Sequence, residues 1–163
     1  MPRKFIAAMV VVLSGTTTVL AQTKISGALQ CGKPDEQHVL DVGDRPNHSF
    51  MIAKGKCTWT KPLEIAGTQA TEDIGTSFVE ISGTKFRDRG YEVTNWANGD
   101  KSNIYAQGSG ILQDGVPEEE GTWNFTGGTG KLKGIKGKGT YKAKGAADGS
   151  GTIEVEGEYE LPK

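Results

Sequence analysis

Two histidines, His38 and His48, flank Asp41 and Asp44, and imidazole beside carboxylate is a donor set that can hold a metal or move protons near neutral pH. The spacing matches no recognised ligand motif, and Asp44-Arg-Pro-Asn47 has the composition of a turn. The segment reads as a polar surface loop, and no metal is assigned to it. Further along, Gly127-Gly-Thr-Gly-Lys-Leu-Lys-Gly-Ile-Lys-Gly-Lys-Gly139 has the glycine and lysine content of a phosphate cradle. A P-loop needs Gly-Lys followed by Ser or Thr and then a helix; no Gly-Lys here is so followed, and the next segment has strand character. A dinucleotide fingerprint fails for the same reason, so no nucleotide or other cofactor is expected. No Ser sits in a nucleophile-elbow context. Glu118-Glu-Glu120 reads as a solvated loop, and Asn47-His-Ser and Asn124-Phe-Thr fit the glycosylation sequon.

The residues best suited to contact a ligand are aromatics that strand parity turns inward: Trp59, Tyr91, Trp123 and Phe125. The competing reading packs the same rings as core. Lys61 shares the face of Trp59, but Pro62 ends the regular ladder beside it and frees Lys61 to reach solvent. Two cysteines, Cys31 and Cys57, lack the C-x-x-C spacing of a redox pair. In an oxidising compartment such a pair reads as a structural disulfide.

These residues sit on strands. Period-two alternation recurs along the chain, most clearly in Ile153-Glu-Val-Glu-Gly-Glu-Tyr-Glu-Leu161, where every even position is Glu. Upstream, Lys136, Lys138, Lys142 and Lys144 are also even. A hairpin folded about residue 148 sets Lys142 against Glu154, Lys138 against Glu158 and Lys136 against Glu160. Lys131 and Lys133 are odd, and this parity change at Gly134 suggests a β-bulge. Asn98-Gly99 marks a second hairpin, whose two-residue turn pairs Val93 with Ile104 and Tyr91 with Ala106 on one face. Trp96, Thr94, Glu92 and Tyr105 then fall on the other. Further strands are expected at 25–29, 38–42, 49–54, 58–65, 77–81 and 121–126, with Pro62 placing an edge or bulge in the fourth. Gly-Thr dipeptides at irregular intervals exclude a solenoid repeat and suit an antiparallel sandwich or barrel of eight to ten strands.

Composition agrees. Gly supplies 24 of 163 residues without an every-third period, which excludes collagen, and a hydrophobic content of 35% is enough for a folded core. Residues 1–21 read as a cleaved signal peptide: Arg3 and Lys4, an apolar run from Phe5 to Leu13, and Val19-Leu20-Ala21 before the cut. The apolar run is too short to span a membrane, so no stable insertion is expected. Loss of Arg3 and Lys4 takes the net charge from −1 to −3, which argues against a nucleic-acid partner. The mature chain, 22–163, is expected to form one β-barrel domain exported to the periplasm or the extracellular space.

Gly127-Gly-Thr-Gly-Lys-Leu132 and the glycines after it resemble the Gly-Gly-Thr-Gly strand motif of the allene oxide cyclase-like barrels, over about residues 121–161. That superfamily includes plant dirigent proteins and several uncharacterised bacterial proteins, secreted or cytosolic, and the chain resembles a secreted bacterial member. The resemblance implies an all-β fold, a small eight-stranded antiparallel barrel with a largely apolar cavity, often assembled as a homo-oligomer. Enzymes of the superfamily steer cyclisation or coupling of reactive hydrophobic intermediates, but none of their catalytic residues can be matched to positions here. Three functions therefore stand open: a carrier of a small hydrophobic ligand, a cyclase- or isomerase-like enzyme, and a structural or interaction module with a filled core.

Overall fold

A computed structural model describes residues 22–162; the signal peptide expected over 1–21 lies outside them. Ten strands follow one another: β1 (Thr23–Cys31), β2 (Glu36–Asp41), β3 (His48–Lys61), β4 (Glu64–Ile65), β5 (Thr68–Ser82), β6 (Lys85–Trp96), β7 (Lys101–Gln113), β8 (Val116–Gly128), β9 (Lys136–Gly145) and β10 (Gly151–Glu160). All pairings are antiparallel. The order β3-β1-β10-β9-β8-β7-β6-β5 closes on itself through a β3–β5 ladder, giving an eight-stranded barrel. Closure leaves these eight strands no unpaired edge. β2 and β4 are short additions, laid along β3 and β5 respectively.

The Lys/Glu hairpin has the expected register, with Lys142 opposite Glu154, Lys138 opposite Glu158 and Lys136 opposite Glu160. Its lysines face solvent while Tyr141 is buried in the barrel. Other expectations are corrected. Around Asn98-Gly99 the loop has three residues, 97–99, because Trp96 N–H bonds to the Asp100 carbonyl and closes the ladder there, while the Asn98 side chain accepts from Asp100 N–H. Val93 therefore pairs with Asn103, and Tyr91 with Tyr105. A one-residue slip turns every side chain of the strand to the opposite face. Tyr91 lies outside, 67% exposed, and Glu92, Thr94 and Trp96 turn inward. Gly134 does not sit in a bulged strand. Lys131 belongs to a 3₁₀ turn over Gly130–Leu132, and Gly134 follows it at φ 76°, a left-handed backbone that glycine adopts without strain.

Pro62 ends β3, and a bulge two residues earlier opposes Ala28 to Lys61 but Leu29 to Trp59. Lys61 accordingly reaches solvent, where its Nζ donates to Ser26 Oγ at 3.1 Å. Cys31 and Cys57 face each other across β1 and β3 and form a disulfide. No helix among the described residues is long and apolar enough to cross a membrane.

One end of the barrel is filled. Ile65, Ala70, Trp96, Leu132 and Ile135 pack there at 3% exposure or less, and Trp96 Nε1 donates to the wholly buried Ser102 hydroxyl at 3.0 Å. The strands run on past this plug, and toward the other end the interior opens.

Candidate functional site

A cavity of about 230 Å³ occupies the barrel interior beyond the plug. Its walls differ. From β1, β3, β7, β8 and β10 come Leu29, Trp59, Ile104, Trp123, Phe125 and Val155, an apolar and largely aromatic surface. Glycines make room for the rings. A Cβ at Gly157 would fall 2.5 Å from Trp123 Cζ2, and one at Gly139 would fall 2.7 Å from Trp123 Cε2. The indole lies flat against two bare strands because neither carries a side chain there.

The rest of the lining is acidic. Asp73 comes from β5, Asp88 and Glu92 from β6, Glu119 from β8 and Tyr141 from β9. Among the described residues no Lys, Arg or His lines the cavity. Asp73 owes its direction to a bulge. The register of β5 against β6 shifts between Ala70 and Glu72, so even positions point inward before Thr71 and odd positions after it. Such bulges re-aim side chains at functional sites.

Each acid has a distinct environment. Asp73 is 5% exposed, and its Oδ1 accepts from Trp59 Nε1 at 3.1 Å. Burial raises its pKa from 3.8 to about 6, with the Thr94 hydroxyl opposite it and the Trp59 N–H drawing it partly back. Glu92 lies over Gly75, where an added Cβ would meet its Cγ at 3.3 Å. Among the described residues it makes no hydrogen bond or ion pair. Burial, followed by the like charges of Asp73 and Asp88, raises it from 4.5 to about 8. Nearer the open end, Tyr141 O–H donates to Glu119 Oε1 and lies 3.3 Å from Asp88 Oδ1. Desolvation and the adjacent Asp88 hold Glu119 well above the usual carboxylate range. Desolvation and the same two carboxyls keep Tyr141 firmly protonated.

Three of the aromatics expected to face a ligand, Trp59, Trp123 and Phe125, line the cavity; Tyr91 does not, for the reason of register given above. Glu118–Glu120 is no solvated loop. It is the start of β8, and its middle residue, Glu119, points inside. The histidine segment lies on the outer surface. His38 is exposed on β2. His48 is buried with Nδ1 2.5 Å from Asp44 Oδ1 and Nε2 3.2 Å from Glu80 Oε1, so both ring nitrogens are engaged by carboxylates. The hydrogen bond to His48 holds Asp44 below its ordinary pKa.

No protein-family model matches the chain, and no curated protein does. Solved structures do match. The pterocarpan synthase dirigent protein PsPTS1 aligns over 88% of this chain and 97% of its own, with a TM-score of 0.50 at 13% identity. The chain shares the barrel fold of that protein. A second pterocarpan synthase dirigent protein, GePTS1, aligns over 98% of this chain and all of its own, with a TM-score of 0.45 at 14% identity. At these identities the likeness is one of fold. What this barrel can do chemically follows from its own lining: aromatic and aliphatic side chains together with carboxyl groups, of which Asp73, Glu92 and Glu119 have pKa values raised by burial.

Proposed function

We propose that this exported barrel is a cyclase- or isomerase-like enzyme that holds a small hydrophobic molecule and catalyses a proton-transfer reaction on it. The observation that carries the proposal is the group of carboxyls enclosed with the aromatic side chains in one cavity. An apolar carrier or a filled structural barrel gains nothing from enclosing Asp73, Asp88, Glu92 and Glu119, since burial of carboxyl groups costs free energy that aliphatic residues there would not. Buried carboxyl groups with pKa values moved toward neutrality, as at Asp73, Glu92 and Glu119, are characteristic of acid–base sites. Glu92 or Glu119 can donate its proton to an oxygen of the bound molecule, generating a cationic centre beside the indole faces. The resulting carboxylate, or Asp73, takes a proton from the attacking hydroxyl or an adjacent carbon. The net change is isomerisation, or loss of water where the protonated oxygen departs. One solved structure of similar fold bears the name pterocarpan synthase, the name of a catalyst, which agrees with an enzymatic reading. The Cys31–Cys57 disulfide supports work in an oxidising compartment.

The volume sets the scale of the substrate. An engineered cavity of about 150 Å³ accepts benzene, so 230 Å³ suits a reacting portion of about nine non-hydrogen atoms. The test has two parts. Organic extraction of natively purified protein, compared by mass spectrometry with a mock purification, should yield a near-stoichiometric small apolar compound. Incubation of the protein with small-molecule extracts should consume a feature and produce one of unchanged mass, or lighter by one water. Among Asp73→Asn, Glu92→Gln and Glu119→Gln, at least one should slow that conversion by at least about a hundredfold, the ordinary worth of a general acid or base. Conversion at the wild-type rate by all three variants would overturn the acid–base role.

A further inference from the structure

We infer that the cavity selects small aromatic amines, molecules with one positive charge beside one ring, over neutral and anionic molecules of the same shape. This rests on the reading that the cavity holds a small apolar ligand, and it adds the ligand's charge.

Three features of the lining converge. First, no basic side chain faces the cavity, so an anionic ligand would meet acids from β5, β6 and β8 with nothing to offset them. Second, Glu92 is enclosed in the barrel yet has no protein partner among the described residues, and neither strand beside it supplies a donor: Gly75 lies opposite it on β5 and Ile104 on β7. A buried carboxylate without a partner is costly, and the cost is removed when a ligand brings the missing cation. Third, the same cavity is lined by Trp59 and Trp123, and indole rings attract cations through the ring quadrupole. An ammonium group between Glu92 and Asp73 with its ring among the indoles uses every one of these groups.

The selection has a signature in protons. Glu92 is largely protonated at pH 7, so pairing with an ammonium requires its carboxyl to ionise, and the proton leaves to solvent. The other titratable groups facing it are Asp73 from β5, Asp88 from its own strand, Glu119 from β8 and Tyr141 from β9. All are acids, so they too favour the cation. No titratable group lines the cavity from β1, β7 or β10, and β3 contributes only the disulfide-bonded Cys57.

The probes are 2-phenylethylamine, 2-phenylethanol and phenylacetate, which share a ring and differ in charge. Binding is followed at pH 7 by calorimetry in two buffers of different ionisation enthalpy, and by tryptophan fluorescence. Charge-assisted hydrogen bonds are about twice as strong as neutral ones, so the amine should bind about tenfold more tightly than the alcohol, and phenylacetate more weakly than either. Amine binding should release protons and tighten as pH rises from 6 to 8; alcohol binding should do neither. Glu92→Gln should bring the amine's affinity down to the alcohol's, abolish proton release and leave alcohol binding unchanged. Equal affinities of wild-type protein for amine and alcohol would overturn the selectivity while leaving a ligand-holding cavity. Absence of heat and of fluorescence change with all three probes would overturn both.

Discussion

Replacement of Asp73 by Asn isolates one proton in the wall of the cavity. Asn has the same size and still offers Oδ1 to the Trp59 N–H, so the substitution leaves packing and that hydrogen bond in place and removes only the titration. The pKa of Asp73 is raised by burial from 3.8 to about 6. The folded protein therefore holds the proton over a range where the unfolded chain has lost it, and stability must fall as pH rises through that range. The contribution is complete below the unfolded value of 3.8, declines through 6 and is exhausted about one pH unit higher. A tenfold difference in proton affinity between the folded and unfolded chains is worth about 1.36 kcal/mol, so the whole amounts to about 3 kcal/mol, of which about 2 kcal/mol falls between pH 4 and pH 7.

Urea unfolding at pH 4, 5.5 and 7, monitored by tryptophan fluorescence and by far-ultraviolet circular dichroism, measures the difference between wild type and Asp73→Asn. With an m-value of about 2 kcal/mol/M, the difference between the two midpoints should move by about 1 M in favour of the Asn variant from the lowest to the highest pH. Groups common to both proteins cancel in this comparison. A difference independent of pH would show that Asp73 titrates normally and is not desolvated. A difference moving in favour of the wild type with rising pH would mean that the carboxylate has a cationic partner inside the barrel. Either result would refute the description of the acidic wall and the mechanism built on it.

Loss of the disulfide in a Cys31→Ser/Cys57→Ser double variant should cost about 3.5 kcal/mol on the chain-entropy account, for a sequence separation of 26; the intact protein should be lighter by two hydrogens than its reduced form in mass spectrometry. Gly157→Ala forces a methyl group against the Trp123 ring, 2.5 Å from Cζ2, and should destabilise the barrel by about 1–3 kcal/mol, with a changed tryptophan emission spectrum. Tyr91→Ser should leave probe affinity within error of the wild type, because Tyr91 packs on Tyr105 outside the barrel at a ring-centroid distance of 5.2 Å; a tenfold loss would return Tyr91 to the site.

The barrel was legible where alternation was unbroken and the turn chemistry simple. In β9 and β10 the lysine and glutamate parities, with the glycine-rich turn between them, determine a register that the structure reproduces residue for residue. The aromatic wall was legible for the same reason, since Trp123 and Phe125 keep one parity along β8 and Trp59 lies on a strand whose end is marked by Pro62. Legibility failed where one residue was added or slipped. The pair Asn98-Gly99 has the sequence of a two-residue turn, but the Asp100 carbonyl accepts from Trp96 N–H and makes the loop three residues long. That single residue exchanges Tyr91 for Glu92 at the cavity wall. In β5 the bulge at Thr71 has no glycine to announce it, so parity carried forward from Ala70 would turn Glu72 inward instead of Asp73.

These failures are not scattered. Two of the errors concealed an acid, Glu92 behind the turn and Glu119 within a glutamate run with the composition of a loop, and Asp73 lies behind a bulge in a stretch where no strand was expected. A charged residue in a strand is read as facing water, because that is its cheapest position, so a functional carboxyl turned inward is misassigned by the rule that places all the others correctly. The signal available from sequence alone is indirect. Gly75, Gly108 and Gly121 stand on barrel strands where a Cβ would meet Glu92, Glu119 or Tyr141, and strand-interior glycine is a cost to a sheet unless a neighbour requires the space. A glycine in the middle of a barrel strand therefore marks a place where a large or polar side chain from the next strand crosses the interior. The glycine excess of this chain, carried more by its strands than by its turns, is a map of where the barrel makes room for its site.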